Sequence, residues 1–270
     1  MGLHNYKLDD QAGANLYRVE YSQAPAALAW LAGLEHHDAV CSVCQAPPQR
    51  SWSVMVPGRQ DCNHTALALD YAGYLMADTF GSAGKTEHIC VDGQPGAVAG
   101  SSAAAASGTL YTTETGDGLS SSYVDNQEVA CAQCSSSAGP TYVRWGRTTC
   151  PASATLLYSG RAAGAHHAHA GGGYNYVCLH AAPVYNETEA ASNAYAARLY
   201  RVEYEMQISS NALGLMSMLH LHNKDVPCTV CQSTGSLATF MQPGSATCSQ
   251  GWSTEYAGYV MAMPSAGNSK

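Results

Sequence analysis

Cysteine is the residue type whose spacing in this chain could do chemistry. Three Cys-x-x-Cys pairs occur, Cys41/Cys44, Cys131/Cys134 and Cys228/Cys231, and thiolates from two such pairs could hold zinc in a tetrahedral site. The same spacing serves thiol–disulfide exchange when a thiolate sits at a helix N-terminus. The flanks argue against both. Cys41-Ser-Val-Cys44 runs into Gln45-Ala-Pro-Pro48, which breaks helices, the pairs are far apart, and Cys62 and Cys90 offer other partners. With Cys150, Cys178 and Cys248, all 11 cysteines are therefore disulfide candidates. A second cluster, His166-His167-Ala-His169, could converge on a transition metal. Placed before Gly171-Gly-Gly173, it reads instead as a solvated loop, so no metal is expected. His36-His37-Asp38 and His220-Leu-His222 hold equivalent places at different spacing, which a fixed metal site would not tolerate. There is no Gly-x-Ser-x-Gly elbow, phosphate loop, dinucleotide fingerprint or His-Glu-x-x-His motif. Catalysis and cofactor binding thus have no positive support, and the expectation is that the chain is not an enzyme.

The cysteines belong to a longer pattern. Leu16-Tyr-Arg-Val-Glu-Tyr21 recurs as Leu199 to Tyr204, and its flanks recur with it: Cys41/Cys44 as Cys228/Cys231, Val56-Pro-Gly58 with Cys62 as Gln242-Pro-Gly244 with Cys248, and Tyr71-Ala-Gly-Tyr74 as Tyr256-Ala-Gly-Tyr259. The shift is nearly constant (199 − 16 = 183; 228 − 41 = 187; 256 − 71 = 185). A period that long exceeds the roughly 20 to 50 residues of solenoid and propeller repeats, so each unit is expected to be a domain with its own core. The expected organisation is the later part of one module over 1–135, a linker over 136–140, and the earlier part of a second copy over 141–270. The expected partner for the odd cysteine lies beyond Lys270, which makes the chain a window on a longer polypeptide.

Composition narrows the class. The net charge of −8, with just 12 Lys and Arg, argues against nucleic acid. No run reaches the roughly 18 apolar residues of a membrane span, and the first residues do not read as a signal peptide. Recurrent cysteines and two glycosylation acceptors, Asn63-His-Thr65 and Asn186-Glu-Thr188, point to secretion. Tyr and Gly are abundant, at 17 and 26 residues, while only 12% of residues are charged, a composition typical of matrix or adhesive proteins.

The elements that must position these residues are short β-rich runs bounded by Gly, Pro, Ser or Asn: Leu16 to Tyr21, Ser53 to Val56, Tyr71 to Met76, His88 to Val91, Thr109 to Thr113, Tyr142 to Trp145, Thr155 to Tyr158, Tyr174 to Leu179, and their second-copy equivalents. Their spacing predicts a mainly β fold of antiparallel sandwich or barrel-like modules with long loops, stapled by disulfides. Pro25 to Leu34 is helical by propensity. With its counterpart Ser209 to Met218, it predicts a short helix or coiled loop packed on the sheet.

Across Tyr142-Val-Arg-Trp-Gly-Arg-Thr-Thr-Cys150-Pro, Leu157-Tyr-Ser-Gly160-Arg-Ala-Ala-Gly164, Tyr174-Asn-Tyr-Val-Cys178-Leu, Val226-Pro-Cys228-Thr-Val-Cys231 and Ile89-Cys-Val-Asp-Gly93, the chain resembles the non-collagenous globular region of spongin-type short-chain collagens and related invertebrate extracellular proteins. The resemblance implies a matrix or structural role and carries over no catalytic residue. The chain departs from that family in having no Gly-x-y run for a triple helix and in repeating the module. The leading expectation is a secreted structural protein that self-associates head to tail into a filament. The alternative is a lectin-like module stacking sugars on Tyr142, Trp145, Tyr174 and Tyr176, with glycans as partners. A metal-dependent enzyme using His166, His167 and His169 is the third.

Overall fold

Strand pairing in this protein repeats, bond for bond, at half the spacing the sequence displays. The computed structural model describes residues 18–22, 31, 33–103, 107–119, 121–185, 196–205 and 218–263. These contain β1 (Val19–Tyr21), β2 (Trp52–Pro57), β3 (Ala68–Ala77), β4 (Ile89–Asp92), β5 (Gly108–Thr115), β6 (Ala130–Ser136), β7 (Thr141–Trp145), β8 (Ala154–Gly164), β9 (Val177–His180), β10 (Ala197–Arg201) and β11 (Pro227–Ser233). The hydrogen-bonded order is β2-β6-β3-β5-β10-β8-β11-β7, with β1 on β5, β4 on β3 and β9 on β8.

Unit one, β2 to β6, and unit two, β7 to β11, share one topology. The Cys-x-x-Cys strand, β6 or β11, lies between the first strand of its unit and the long second strand, antiparallel to both. Gly73 faces Cys131 and Asp92; Gly160 faces Cys228 and His180. The register slips at the same place in both units, between Leu69 and Tyr71 and opposite Val230/Cys231 where Leu156 gives way to Tyr158. The tyrosine after each slip, Tyr71 or Tyr158, donates its hydroxyl to the carbonyl of Cys90 (2.8 Å) or Cys178 (3.2 Å).

The four disulfides follow one rule. In each unit the first cysteine bonds the fourth and the second bonds the third: Cys62–Cys134 and Cys90–Cys131, then Cys150–Cys231 and Cys178–Cys228. They close loops of 72, 41, 81 and 50 residues, each contributing about 4 kcal/mol by restricting the unfolded chain. The units are not separate cores. One cluster joins Val56, Cys62 and Cys134 to Leu157, Tyr158 and Val230; another joins Leu75, Leu119 and Cys131 to Ala163, Leu179 and Leu199. Burying each such aliphatic side chain stabilises the pair by roughly 1.5 to 3 kcal/mol.

The mainly β, disulfide-stapled expectation holds. The ladders within units are antiparallel, whereas β5 pairs in parallel with both β1 and β10, because the strands that join units run in the same direction. The path does not close as a barrel, since β2 and β7 stand at its two ends. The 185-residue spacing resolves into two steps (150 − 62 = 88; 248 − 150 = 98), each spanning one unit. Most of Pro25 to Leu34 and of Ser209 to Met218 lies outside the described residues; residues 33–36 form a turn and 218–221 a single 3-10 turn. Of the expected linker 136–140, Ser136 ends β6 and residues 137–140 connect it to β7, with Pro140 buried.

Candidate functional site

The feature with a distinct capacity is the joint between units, together with the two segments that present half of such a unit. It is built from the LYRVEY-type strands. The end of β1 pairs with the start of β5, Val19 opposite Gly108; the end of β5 pairs with the start of β10, Thr113 opposite Ala197. Ser22 N donates to Leu110 O (3.0 Å), and at the next joint Gly116 N donates to Leu199 O (2.7 Å). Each strand then turns back through a left-handed residue, His36 (φ 64°), Asn126 (φ 57°) or Asn223 (φ 58°), with matching bridges Glu20–Asp38, Glu114–Glu128 and Glu203–Asp225. Asn and His are both enriched in that conformation, so all three positions carry a suited residue.

Side chains lock the joint between units one and two. Glu114 of β5 lies 4.0 Å from the Arg198 guanidinium of β10, which also covers the Phe80 ring at 4.8 Å. His88, 2% exposed, receives Gly173 against its imidazole and holds Asn175 through Nδ1 (2.9 Å to Oδ1). Burial lowers its pKa, opposed by the Asn175 bonds. The glycines of Gly171-Gly-Gly173 thereby have a packing role: a Cβ at Gly171 would stand 2.1 Å from Thr79 O.

The flanking segments carry the same motifs unpaired. Cys41 and Cys44, counterparts of Cys131/Cys134 and Cys228/Cys231, are free and exposed, and so is Val43, whose counterpart Val230 is 1% exposed. Residues 240–262 match the first two strands of a unit but form no strand. Val260 and Met261 are 72% and 48% exposed where Leu75 and Met76 are fully buried. This segment lies over β7: Tyr256 stacks on Tyr142 with centroids 6.1 Å apart and donates to Val143 O (2.9 Å). Glu255 accepts hydroxyls from Ser153 (2.6 Å), Tyr142 (3.0 Å) and Ser233 (3.1 Å). Desolvation works against its ionised form, and these three bonds outweigh it, leaving the pKa below the usual value.

None of the other expected sites is assembled. His166, His167 and His169 lie together, with ring centroids 4.3 Å and 5.0 Å from that of His166, and Tyr200 packs edge-on to His166 at 5.0 Å; among the described residues no three groups are arranged to hold a metal. Burial lowers the pKa of His166 and His169, which are half-buried, while His167 is exposed. In both paired Cys-x-x-Cys motifs the cysteines bond elsewhere, so these sulfurs are neither zinc thiolates nor internal redox pairs. Tyr142 is engaged by Tyr256, Trp145 and Tyr174 are exposed, Tyr176 packs on Gly164, and no ring contact among the described residues links Tyr142 or Trp145 to Tyr174 or Tyr176. Asn63 is exposed beside Cys62, and Asn186 lies outside the described residues. A shallow cleft of about 330 Å³ between the units is lined by Tyr123, Ser159, Arg161 and Asp225. Arg161 and Asp225 are ion-paired, and burial pushes the Tyr123 phenol up to about 12, so it stays protonated.

Sequence reasoning missed the Cys-x-x-Cys segments as strands. Their signal was the i, i+3 spacing itself, which puts the two sulfurs on opposite faces of an extended chain. No protein-family model matches the chain, and no solved structure matches it. Four disulfides suit an oxidising environment, and among the described residues no helix is long and apolar enough to cross a membrane.

Proposed function

We propose that this is a secreted structural protein: an array of disulfide-stapled β units that assembles head to tail in an extracellular matrix or filament. One observation carries the reading. The unit-to-unit contact uses two different halves of the same strand, so β5 accepts β1 at its start and receives β10 at its end. Such a contact is heterologous, and heterologous contacts that do not close a ring extend into filaments. Kinship with spongin-type heads is part of this proposal and rests on the motifs alone. Electron microscopy of the protein in oxidising buffer tests it: thread-like assemblies are expected, and discrete compact particles at all concentrations would contradict it.

A further inference from the structure

The connection between β8 and β9, residues 165–176, lies across the equivalent connection of unit one, residues 78–88, between β3 and β4. Backbone bonds hold the two where Gly171-Gly-Gly173 lets them approach. Gly171 N donates to Phe80 O (3.2 Å), Thr86 N to Gly172 O (3.3 Å) and Tyr174 N to Thr86 O (2.9 Å). Each side adds one histidine to the contact. His88 of unit one has Gly173 against its ring, and His169 of unit two packs on Phe80 with ring centroids 4.9 Å apart. Both connections lead into a disulfide-bonded strand, at Cys90 and Cys178, so the strands beyond stay tied when the connections part.

Neither imidazole has a place for a second proton. His88 Nδ1 faces two oxygens of Asn175, Oδ1 at 2.9 Å and the carbonyl at 3.2 Å, and the same Oδ1 accepts from His88 N (2.7 Å). Nδ1 therefore carries the proton of the neutral ring, and a further proton must go to Nε2, which is buried with no hydrogen-bond partner. On His169 the buried nitrogen without a partner is Nδ1, so its charged form also leaves an N–H without an acceptor. A buried donor of that kind is costly, and more so when charged.

The surrounding groups do not compensate. The ring of His169 lies 5.0 Å from that of His166 and 5.5 Å from that of Tyr200, with His167 in the same turn and Arg198 over the Phe80 ring. Among the carboxylates, Asp78 accepts from Thr109 Oγ1 and Thr79 N, Glu114 faces Arg198, and Glu87 is exposed; Lys85 is half-buried. Burial lowers the pKa of both histidines, opposed at His88 by the Asn175 bonds and reinforced at His169 by His166, Arg198 and His167.

We propose that residues 165–176 form an acid-released clasp on residues 78–88: proton uptake by His88 and His169 frees the clasp while the disulfide-stapled strands stay paired. The device is internal to one chain and does not rest on head-to-tail assembly. Both groups bind a proton more readily once released, so the clasp is closed above the ordinary imidazole value of 6.5 and opens as pH falls toward the lower clasped values. Each proton taken up on release favours the open form by up to about tenfold per pH unit. The joint between units is thereby stiff at neutral pH and slack in acid.

Amide hydrogen exchange of the full chain, read as protection factors between pH 7.5 and 5, tests this. Protection at Thr86, Gly171 and Tyr174 should fall by at least about tenfold on acidification, while Leu75 N, bonded to Val129 O within unit one, and the β11 amides keep theirs. With His88→Gln and His169→Gln combined, the fall should be gone. Clasp amides still protected at pH 5, protection lost only together with Leu75 and β11, or a fall that persists in the double variant would each overturn the proposal. A double variant that is open at every pH leaves the decision to NMR titration of the two wild-type imidazoles. Midpoints below 6.5 that coincide with amide release are expected there, and midpoints at or above 6.5 would overturn the clasp.

Discussion

Glycine carries a steric role that the repeated Tyr-x-Gly motif displays without explaining. A Cβ at Gly73 would stand 1.8 Å from Val91 O, and one at Gly160 1.9 Å from Leu179 O, whereas Gly258, the third copy, has nothing within 4 Å. Gly73→Ala and Gly160→Ala should each cost about 3 kcal/mol or more, as overpacking against backbone does. Gly258→Ala should change the stability of the single chain by less than about 0.5 kcal/mol, and chemical denaturation of the three variants checks both. The sequence showed that this position recurs; it could not show that two backbones meet there, because the contact depends on a strand some twenty residues away. His88 was likewise read only as the start of a strand. Its folded pKa is lowered, so the unfolded chain binds the proton more readily and stability is present above the unfolded value of 6.5. Stability should fall as pH drops below 6.5 toward the lower folded value, and His88→Gln should flatten that slope in denaturation measured between pH 7.5 and 5.

The central strands β6 and β11 were the least legible elements. Ala-Cys-Ala-Gln-Cys-Ser-Ser in β6 has no β-branched or aromatic residue, and its strand character comes from two neighbours and two disulfides, which is tertiary context overriding propensity. The strands rich in Val, Tyr and Leu were readable because their residues suit a pleated, half-buried surface. The same argument applies to residues 256–261, nearly identical to part of β3 but not a strand: among the described residues no central strand pairs with them. Cys62→Ser with Cys134→Ser should lower stability by about 4 kcal/mol and leave the β spectrum in place. Removing the Arg198 side chain, which is 14% exposed and faces Glu114, should cost about 3 kcal/mol by leaving that carboxylate in the joint without its guanidinium. For the segment over β7 the sign is that of a depressed carboxyl pKa. The Glu255 contribution is present above the unfolded value of 4.5 and lost as pH falls through the lower folded value. Proteolysis within 240–262 should therefore accelerate in acid, and Glu255→Gln should show the acceleration already at pH 7.

Across the whole molecule, duplication was legible and its true step was not. Units one and two share their cysteines, the Gly73/Gly160 pair and the Tyr71/Tyr158 pair, but few consecutive residues, so the strings that match are those two steps apart. What the units share is a pattern of backbone bonds, disulfide connectivity and left-handed turns, none of which is written as a string of identical side chains. That shared pattern makes each contact the template of the next. Light scattering coupled to size separation, run over a concentration series in oxidising buffer, tests this claim most directly. The mass should rise with concentration through successive multiples of 28.3 kDa without a plateau; a monodisperse monomer at every concentration would contradict head-to-tail assembly.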